Sequence, residues 1–181
     1  SNLVFTVTRT TNNTASSVDY AITGGTATSG SDYTPLIAGT LNFSAGGAFT
    51  QTVTVVVNGD LSVENNETVI ITLSNPMNGG IGTSPGTGTI TNDDNASLTL
   101  SGGIAQNEGN AGTTAYTFTV VLSPDVQGGF TVPYTTNDGT AFASDNDYID
   151  NDGTLIFSGT AGETHTITVL MNGGTKVELH E

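Results

Sequence analysis

Glycines and acids recur along this chain at one spacing. Gly25 and Gly139, Gly39 and Gly153, Asn58 and Asn172, Glu64 and Glu178, and Glu67 and Glu181 are each separated by 114 residues. Gly25-Thr26-Ala27 and Gly139-Thr140-Ala141 are both followed by an Asp-Tyr pair, a Gly-Thr-Leu and a long alternating segment. A fixed period of this kind means two copies of one structural unit, so a fold that suits one half must suit the other. Any site is to be sought twice.

Within each copy the apolar residues alternate. Leu3, Phe5 and Val7 are interleaved with Asn2, Val4 and Thr6, Val53, Val55 and Val57 with Thr52 and Thr54, and Val69, Ile71 and Leu73 with Thr68, Ile70 and Thr72. A period of two places one face of an extended strand on a core. Copy two repeats the pattern at Tyr116, Phe118 and Val120, at Phe130, Val132 and Tyr134, at Leu155 and Phe157, and at Ile167 and Val169. Turn signals such as Ala45-Gly46-Gly47, Ser74-Asn75-Pro76 and Gly79-Gly80 interrupt the strands about every ten residues, the rhythm of an antiparallel sandwich. The expected fold class is all-β, two tandem immunoglobulin-like Greek-key β-sandwiches.

The domains expected are 1–94 and 95–181, joined at Asn92-Asp93-Asp94-Asn95. Copy two opens with a strand at Leu98 to Leu100 and an acidic turn at Gln106-Asn107-Glu108-Gly109 before Tyr116, whereas copy one starts directly in the strand equivalent to Tyr116 to Val120. Copy one is therefore expected to lack its first strand, and copy two its last strands. Each sandwich is incomplete at a chain end, as in a window cut from a longer array or a unit completed by neighbours.

Composition narrows the partners. Only Arg9 and Lys176 are basic, against 17 Asp and Glu, for a formal charge of −15. Such a chain has no means of neutralising phosphates, which argues against nucleic acid and anionic membranes and in favour of cations. Its Val, Ile, Thr, Phe and Tyr content separates it from disordered acidic chains. The absence of cysteine excludes disulfides, thiol chemistry and thiolate metal sites. Apolar runs such as Val55-Val56-Val57 are too short to span a bilayer, so no membrane insertion is expected.

Val18-Asp19-Tyr20, Gly25-Thr26-Ala27, Ser31-Asp32-Tyr33, Gly39-Thr40-Leu41-Asn42-Phe43, Gly59-Asp60, Glu64, Asn66-Glu67-Thr68, Leu73-Ser74-Asn75-Pro76 and Thr89-Ile90-Thr91-Asn92-Asp93-Asp94 stand in an order and at spacings that resemble a Calx-beta repeat. The resemblance covers nearly all of copy one and, through Val132 to Glu181, most of copy two. It implies a Ca²⁺-binding or Ca²⁺-derived sandwich of the kind found in sodium/calcium exchangers and in tandem bacterial surface proteins. Ca²⁺ is the cofactor implied. Carried over by position, the metal ligands in copy one are Asp32, Asp60, Glu64, Glu67, Asp93 and Asp94, and in copy two Glu108, Asp147, Glu178 and Glu181. Gly174 stands where copy one has Asp60, and Gly59 and Asn92 stand where the richest exchanger pattern has further acids. Copy one is accordingly expected to be the better Ca²⁺ binder.

The physical case runs alongside. Ca²⁺ accepts six to eight oxygens in flexible geometry, so converging acidic loops are able to hold it. Asp125, Asp138 and Glu163 fall in turn signals with no matching acid in copy one and read as solvated loop residues. Asp145 to Gly153 has the flavour of an EF-hand loop but fails it, since Ile149 occupies the fifth position; Asp145, Asp150 or Asp152 remain as sources of extra oxygens. His165 and His180 have no repeated partner, and no nucleophile and base set is evident, so no enzyme activity is expected.

The function expected is a calcium-binding structural or adhesive repeat of a large extracellular or cell-surface protein, bacterial in type, with Ca²⁺ stiffening the domain junction. Its partners would be adjacent repeats of the same chain or neighbouring copies, and a cell-surface or matrix ligand. One alternative is a filament subunit completed by strand exchange between chains. Another is a regulatory calcium sensor.

Overall fold

A computed structural model describes residues 1–103 and 105–175. The described chain divides into two compact units. The first comprises Ser1–Asp60 and Asn65–Asp93, and the second comprises Leu61–Glu64 and the chain from Asp94 onward. Both are built almost entirely of antiparallel strands, as the alternating pattern requires. No helix among the described residues is long and apolar enough to cross a membrane.

The first unit contains β1 (Asn2–Thr8), β2 (Ser16–Gly25), β3 (Gly39–Phe43), β4 (Thr50–Val56), β5 (Glu67–Met77) and β6 (Gly86–Ile90). One sheet runs β3-β2-β5-β6 and the facing layer is the pair β1-β4, in which Phe5 stands opposite Val53 and Leu3 opposite Val55. Val53 and Val55 are the inward residues of β4 and are 3% and 0% exposed. They pack with Val18, Leu41, Phe43, Val69 and Ile71 into one core. Full burial of one such side chain contributes about 1.5–3 kcal/mol.

The chain's only arginine pins one end of this core. Arg9 donates from its guanidinium to the carbonyls of Ala48 (3.0 Å), Thr14 (3.2 Å) and Ser44 (2.7 Å), and its charge lies 5.2 Å from the centre of the Phe43 ring. Three loop carbonyls thereby find donors from one side chain, while its apolar stem and charge sit on an aromatic face.

The second unit contains β7 (Ser97–Ser101), β8 (Thr113–Ser123), β9 (Phe130–Tyr134), a 3₁₀ turn (Ala143–Asp145), β10 (Tyr148–Ile149), β11 (Gly153–Phe157) and β12 (Thr164–Asn172). The order of its larger sheet is β10-β12-β8-β7, and β9 pairs with β11 in the facing layer. Leu122 and Phe157 are the innermost side chains, 0% and 2% exposed. Phe157 stacks on Phe130, with ring centres 5.1 Å apart, and takes the edge of His165 at 4.5 Å. The segment Leu61–Glu64 adds a short parallel bridge to this unit, Val63 pairing with Val126, and Ser62 donates to the Asp125 carboxylate at 2.8 Å.

The two units repeat one pairing scheme. β1 pairs with β4 as β8 pairs with β12, and β2 pairs with β3 as β9 pairs with β11. Tyr33 bridges Val57 at the end of β4, and in the second unit Tyr148 of β10 pairs with Met171 of β12.

Candidate metal centre

Asp32 lies in the loop between β2 and β3, and local chemistry holds it there. Its backbone N–H donates to Thr28 O at 3.0 Å, and its carboxylate Oδ2 accepts the Thr28 N–H at 2.5 Å. Asn58, just past the end of β4, ties this loop to the sheet. Its backbone N–H donates to Asp32 O at 3.0 Å, its Nδ2 donates to Gly30 O and Ser31 O at 3.2 and 2.8 Å, and its Oδ1 accepts from the Thr34 hydroxyl at 3.0 Å. An asparagine used in this way removes the slack that a glycine-containing turn would otherwise have.

Glu67 is the first residue of β5, so the strand fixes its backbone, and it stands opposite Ile90 in the β5–β6 ladder. Asn66 accepts the backbone N–H of Asn92 through Oδ1 at 3.0 Å, which anchors the chain leaving β6 beside the start of β5. Asp32, Glu64 and Glu67 each offer a carboxylate oxygen, and these three oxygens all lie within 4.8 Å of one another. All three residues are partly buried. Burial acts to raise the Asp32 pKa, but hydrogen bonds from the Thr28 N–H, the Ser31 hydroxyl and Glu67 outweigh it and leave the group below its ordinary value.

Two ionised carboxylates at this separation repel by on the order of 3 kcal/mol at an effective dielectric near 20. A cation held between them would offset this term. An all-oxygen donor set with no nitrogen or sulfur suits a hard cation, Ca²⁺ above all, because Ca²⁺ tolerates irregular geometry and fills its remaining positions with carbonyls and water.

The other candidates are placed differently. Asp60, Asp93 and Asp94 do not join this group at that separation. In the second unit Asp147 occupies the place of Asp32, directly before a buried tyrosine, but it is itself buried and its Oδ2 accepts the Phe142 N–H at 2.8 Å. Asn172 holds this loop as Asn58 holds the other, its N–H donating to Asp147 O at 2.8 Å and its Nδ2 to Asn146 O at 3.0 Å. Glu108 lies in the loop after β7, where its carbonyl accepts from the Thr114 hydroxyl at 2.7 Å. Among the described residues no second group of three acids forms. Glu178 and Glu181, with His180, lie outside the described residues.

The acids read as solvated turn residues have structural partners instead. Asp138 accepts the Ala143 N–H at 2.9 Å and the Tyr148 hydroxyl at 2.7 Å, which lowers its own pKa and pushes the Tyr148 phenol up to about 12. Glu163 accepts the backbone N–H groups of Ser158 and Gly159 and pairs with His165 Nε2 at 2.9 Å. These bonds, the Ser158 N–H first, lower its pKa to about 2. Asp150 and Asp152 are likewise engaged, accepting from the hydroxyl and the backbone N–H of Thr136. Loop carboxylates with no repeated partner serve here as caps for turn N–H groups, a role that composition alone does not reveal.

The sequence model of the Calx-beta domain matches this chain twice, over residues 2–96 and 91–178. The chain belongs to the Calx-beta family. Among solved structures, CBD12 from CALX1.2 aligns at 24% identity over 94% of this chain and 69% of that one, with a TM-score of 0.47. The calcium binding domain CBD12 of CALX1.1 aligns at 25% identity over 95% and 69%, also with a TM-score of 0.47. The apo form of the Calx CBD1 domain aligns at 30% identity over 51% of this chain and 83% of that one, with a TM-score of 0.46. Comparison with curated proteins gave no match. The two family matches meet around Asp93 and Asp94, where the first compact unit gives way to the second.

Proposed function

We propose that this chain is a calcium-binding structural repeat module and that Asp32 and Glu67, with Glu64 three residues before the latter, hold the ion. The observation that carries the reading is the approach of these three carboxylate oxygens to within 4.8 Å in a chain with two basic residues. Membership of the Calx-beta family supports it. Asp60, Asp93 and Asp94 would supply further oxygens when an ion draws in their loops, and carbonyls and water would complete the shell. In the second unit Glu108 and Asp147 are the remaining candidates, and the burial of Asp147, with no second group of three acids among the described residues, favours the first unit as the better binder.

A module of this kind acts by being stiff. Each ion that binds only the folded form stabilises it by RT ln(1 + [L]/Kd), about 2.7 kcal/mol at a free concentration one hundred times Kd. Affinities of roughly 10⁻⁴ to 10⁻³ M are usual for extracellular modules and would match an extracellular or cell-surface location. Asp93 and Asp94 lie where one unit's chain passes into the other's, so an ion bound there would restrict that passage. The work of the protein would then be structural or adhesive, with a cell-surface or matrix ligand as partner.

Calorimetry in EDTA and in 10 mM Ca²⁺ tests the reading. The expected result is a rise in melting temperature of several degrees that Asp32→Asn or Glu67→Gln abolishes. Identical melting in both conditions would overturn it.

A further inference from the structure

Asparagine followed by glycine occurs three times, at Asn58-Gly59, Asn78-Gly79 and Asn172-Gly173. The pair is chemically fragile, because glycine has no side chain to obstruct its backbone nitrogen as it turns towards the neighbouring amide carbon. Ring closure joins the glycine nitrogen to asparagine Cγ, breaks the Cγ–Nδ2 bond and releases ammonia, which carries off the proton lost by the nitrogen. Water then opens the succinimide at one carbonyl or the other, leaving isoaspartate or aspartate. In a folded chain the rate depends on how firmly the amide and the glycine N–H are held.

The fold holds two of the three. The Asn58 amide donates from Nδ2 to Gly30 O and Ser31 O and accepts the Thr34 hydroxyl at Oδ1, and its backbone N–H is engaged by Asp32 O. Asn172 donates from Nδ2 to Asn146 O, and the nitrogen that would attack it is occupied, since the Gly173 N–H donates to Gly112 O at 2.8 Å. Gly173 is also hemmed in: a Cβ there would meet Gly109 O at 2.9 Å and Ala111 N at 3.0 Å. Asn78 is held less firmly. It is exposed, and its amide is tied by a bond from Nδ2 to Ala15 O at 3.0 Å. Nothing lies within 4 Å of a Cβ on Gly79 or Gly80, so the chain there has room to rotate.

That bond has structural work. Ser17 and Met77 form the last rung of the β2–β5 ladder, and the contact of Asn78 with Ala15 lies just beyond it, tying the start of the β5–β6 connection to the chain entering β2. We propose that Asn78-Gly79 is the site of spontaneous deamidation in this chain and that its conversion unties this connection. An ionised aspartate or isoaspartate has no side-chain N–H to offer Ala15 O and sets a carboxylate against a carbonyl oxygen instead. The isoaspartyl product also lengthens the main chain by one carbon, and either product adds negative charge to a chain already at −15. Asn58 and Asn172, which hold the Asp-Tyr loops, are spared by the same bonds that do the holding. The inference is independent of calcium.

The test incubates the intact folded chain in EDTA at 37 °C and pH 8, beside a sample unfolded in urea, and follows each asparagine by peptide mass spectrometry. In the folded chain Asn78 should convert about tenfold faster than Asn58, whose amide must break two further hydrogen bonds before it turns. Asn172 should lag as well, and in urea the three rates should converge. After conversion, or in Asn78→Asp made directly, amide hydrogen exchange at Ser17 and Met77 should be faster than in fresh protein. Comparable rates at the three sites in the folded chain would overturn the proposal. So would an Asn78 that stays intact there while the urea sample converts, or exchange at Ser17 and Met77 that conversion leaves unchanged.

Discussion

Tyr134 stands opposite Gly153 in the β9–β11 ladder, and a Cβ built on that glycine would lie 2.6 Å from the tyrosine hydroxyl. Tyr20 and Gly39 repeat the relationship in the first unit, where the distance would be 2.8 Å. A ring lying over a strand glycine fills the space that the glycine leaves and fixes the register of the pair. Gly39→Ala and Gly153→Ala should each destabilise their unit by about 1–3 kcal/mol through overpacking, measured by urea unfolding. Tyr20→Leu or Tyr134→Leu in the respective alanine background should recover part of the loss.

The repeated Gly-Thr-Ala should not behave symmetrically. Gly25 has φ +122°, and a Cβ there would meet Thr68 O at 2.0 Å, whereas nothing lies within 4 Å of one at Gly139. The difference is β5, which runs beside Gly25 and has no described counterpart next to Gly139. Gly25→Ala should cost roughly 3 kcal/mol or more, and Gly139→Ala within about 0.5 kcal/mol, in the same unfolding assay.

Acid should weaken the second unit through Glu163. Its folded pKa of about 2 lies below the ordinary carboxylate value of 4.5, so its contribution is complete above pH 4.5 and is lost as the pH falls towards 2. Glu163→Gln should flatten the acid limb of a stability profile over that window. At the other extreme, Tyr148 has a folded pKa of about 12 against an ordinary 10, so its contribution is full below pH 10 and fades as the pH rises through 12. Tyr148→Phe should remove that alkaline dependence.

Arg9 offers a test of the first unit alone. Arg9→Lys keeps the charge but cannot reach the carbonyls of Ala48, Thr14 and Ser44 together, so the planar fork is what the substitution removes. A loss of about 1–2 kcal/mol is expected, because the bonds are solvent-exposed. Equal stability of the lysine variant would assign the role to charge on the Phe43 ring instead.

The strands were legible because alternation at Leu3, Phe5 and Val7, or at Val53 and Val55, has no other reading, and the residues it turns inward are the ones the core contains. The repeat made the second unit's pairing deducible from the first. Within the site, Asp32, Glu64 and Glu67 were marked by position, and they are the acids that come together. What the pattern did not disclose was the work of the asparagines. Asn58 and Asn172 recur with the period, yet only in the folded chain is it evident that they hold the Asp-Tyr loops to the end of the neighbouring strand. Nor does sequence distinguish the two Asp-Tyr acids, since Asp32 and Asp147 follow the same motif, each accepts a backbone N–H of its own loop, and they differ in burial and in the acids around them.

Pro133 in β9 acquires a meaning from its surroundings. β9 pairs only with β11 among the described residues, and proline is tolerated in a sheet where its missing N–H faces away from the paired strand. The gap therefore falls on the side away from β11, in the middle of the strand, where any strand laid along that side of β9 would find one rung missing. Pro133→Val would restore that rung.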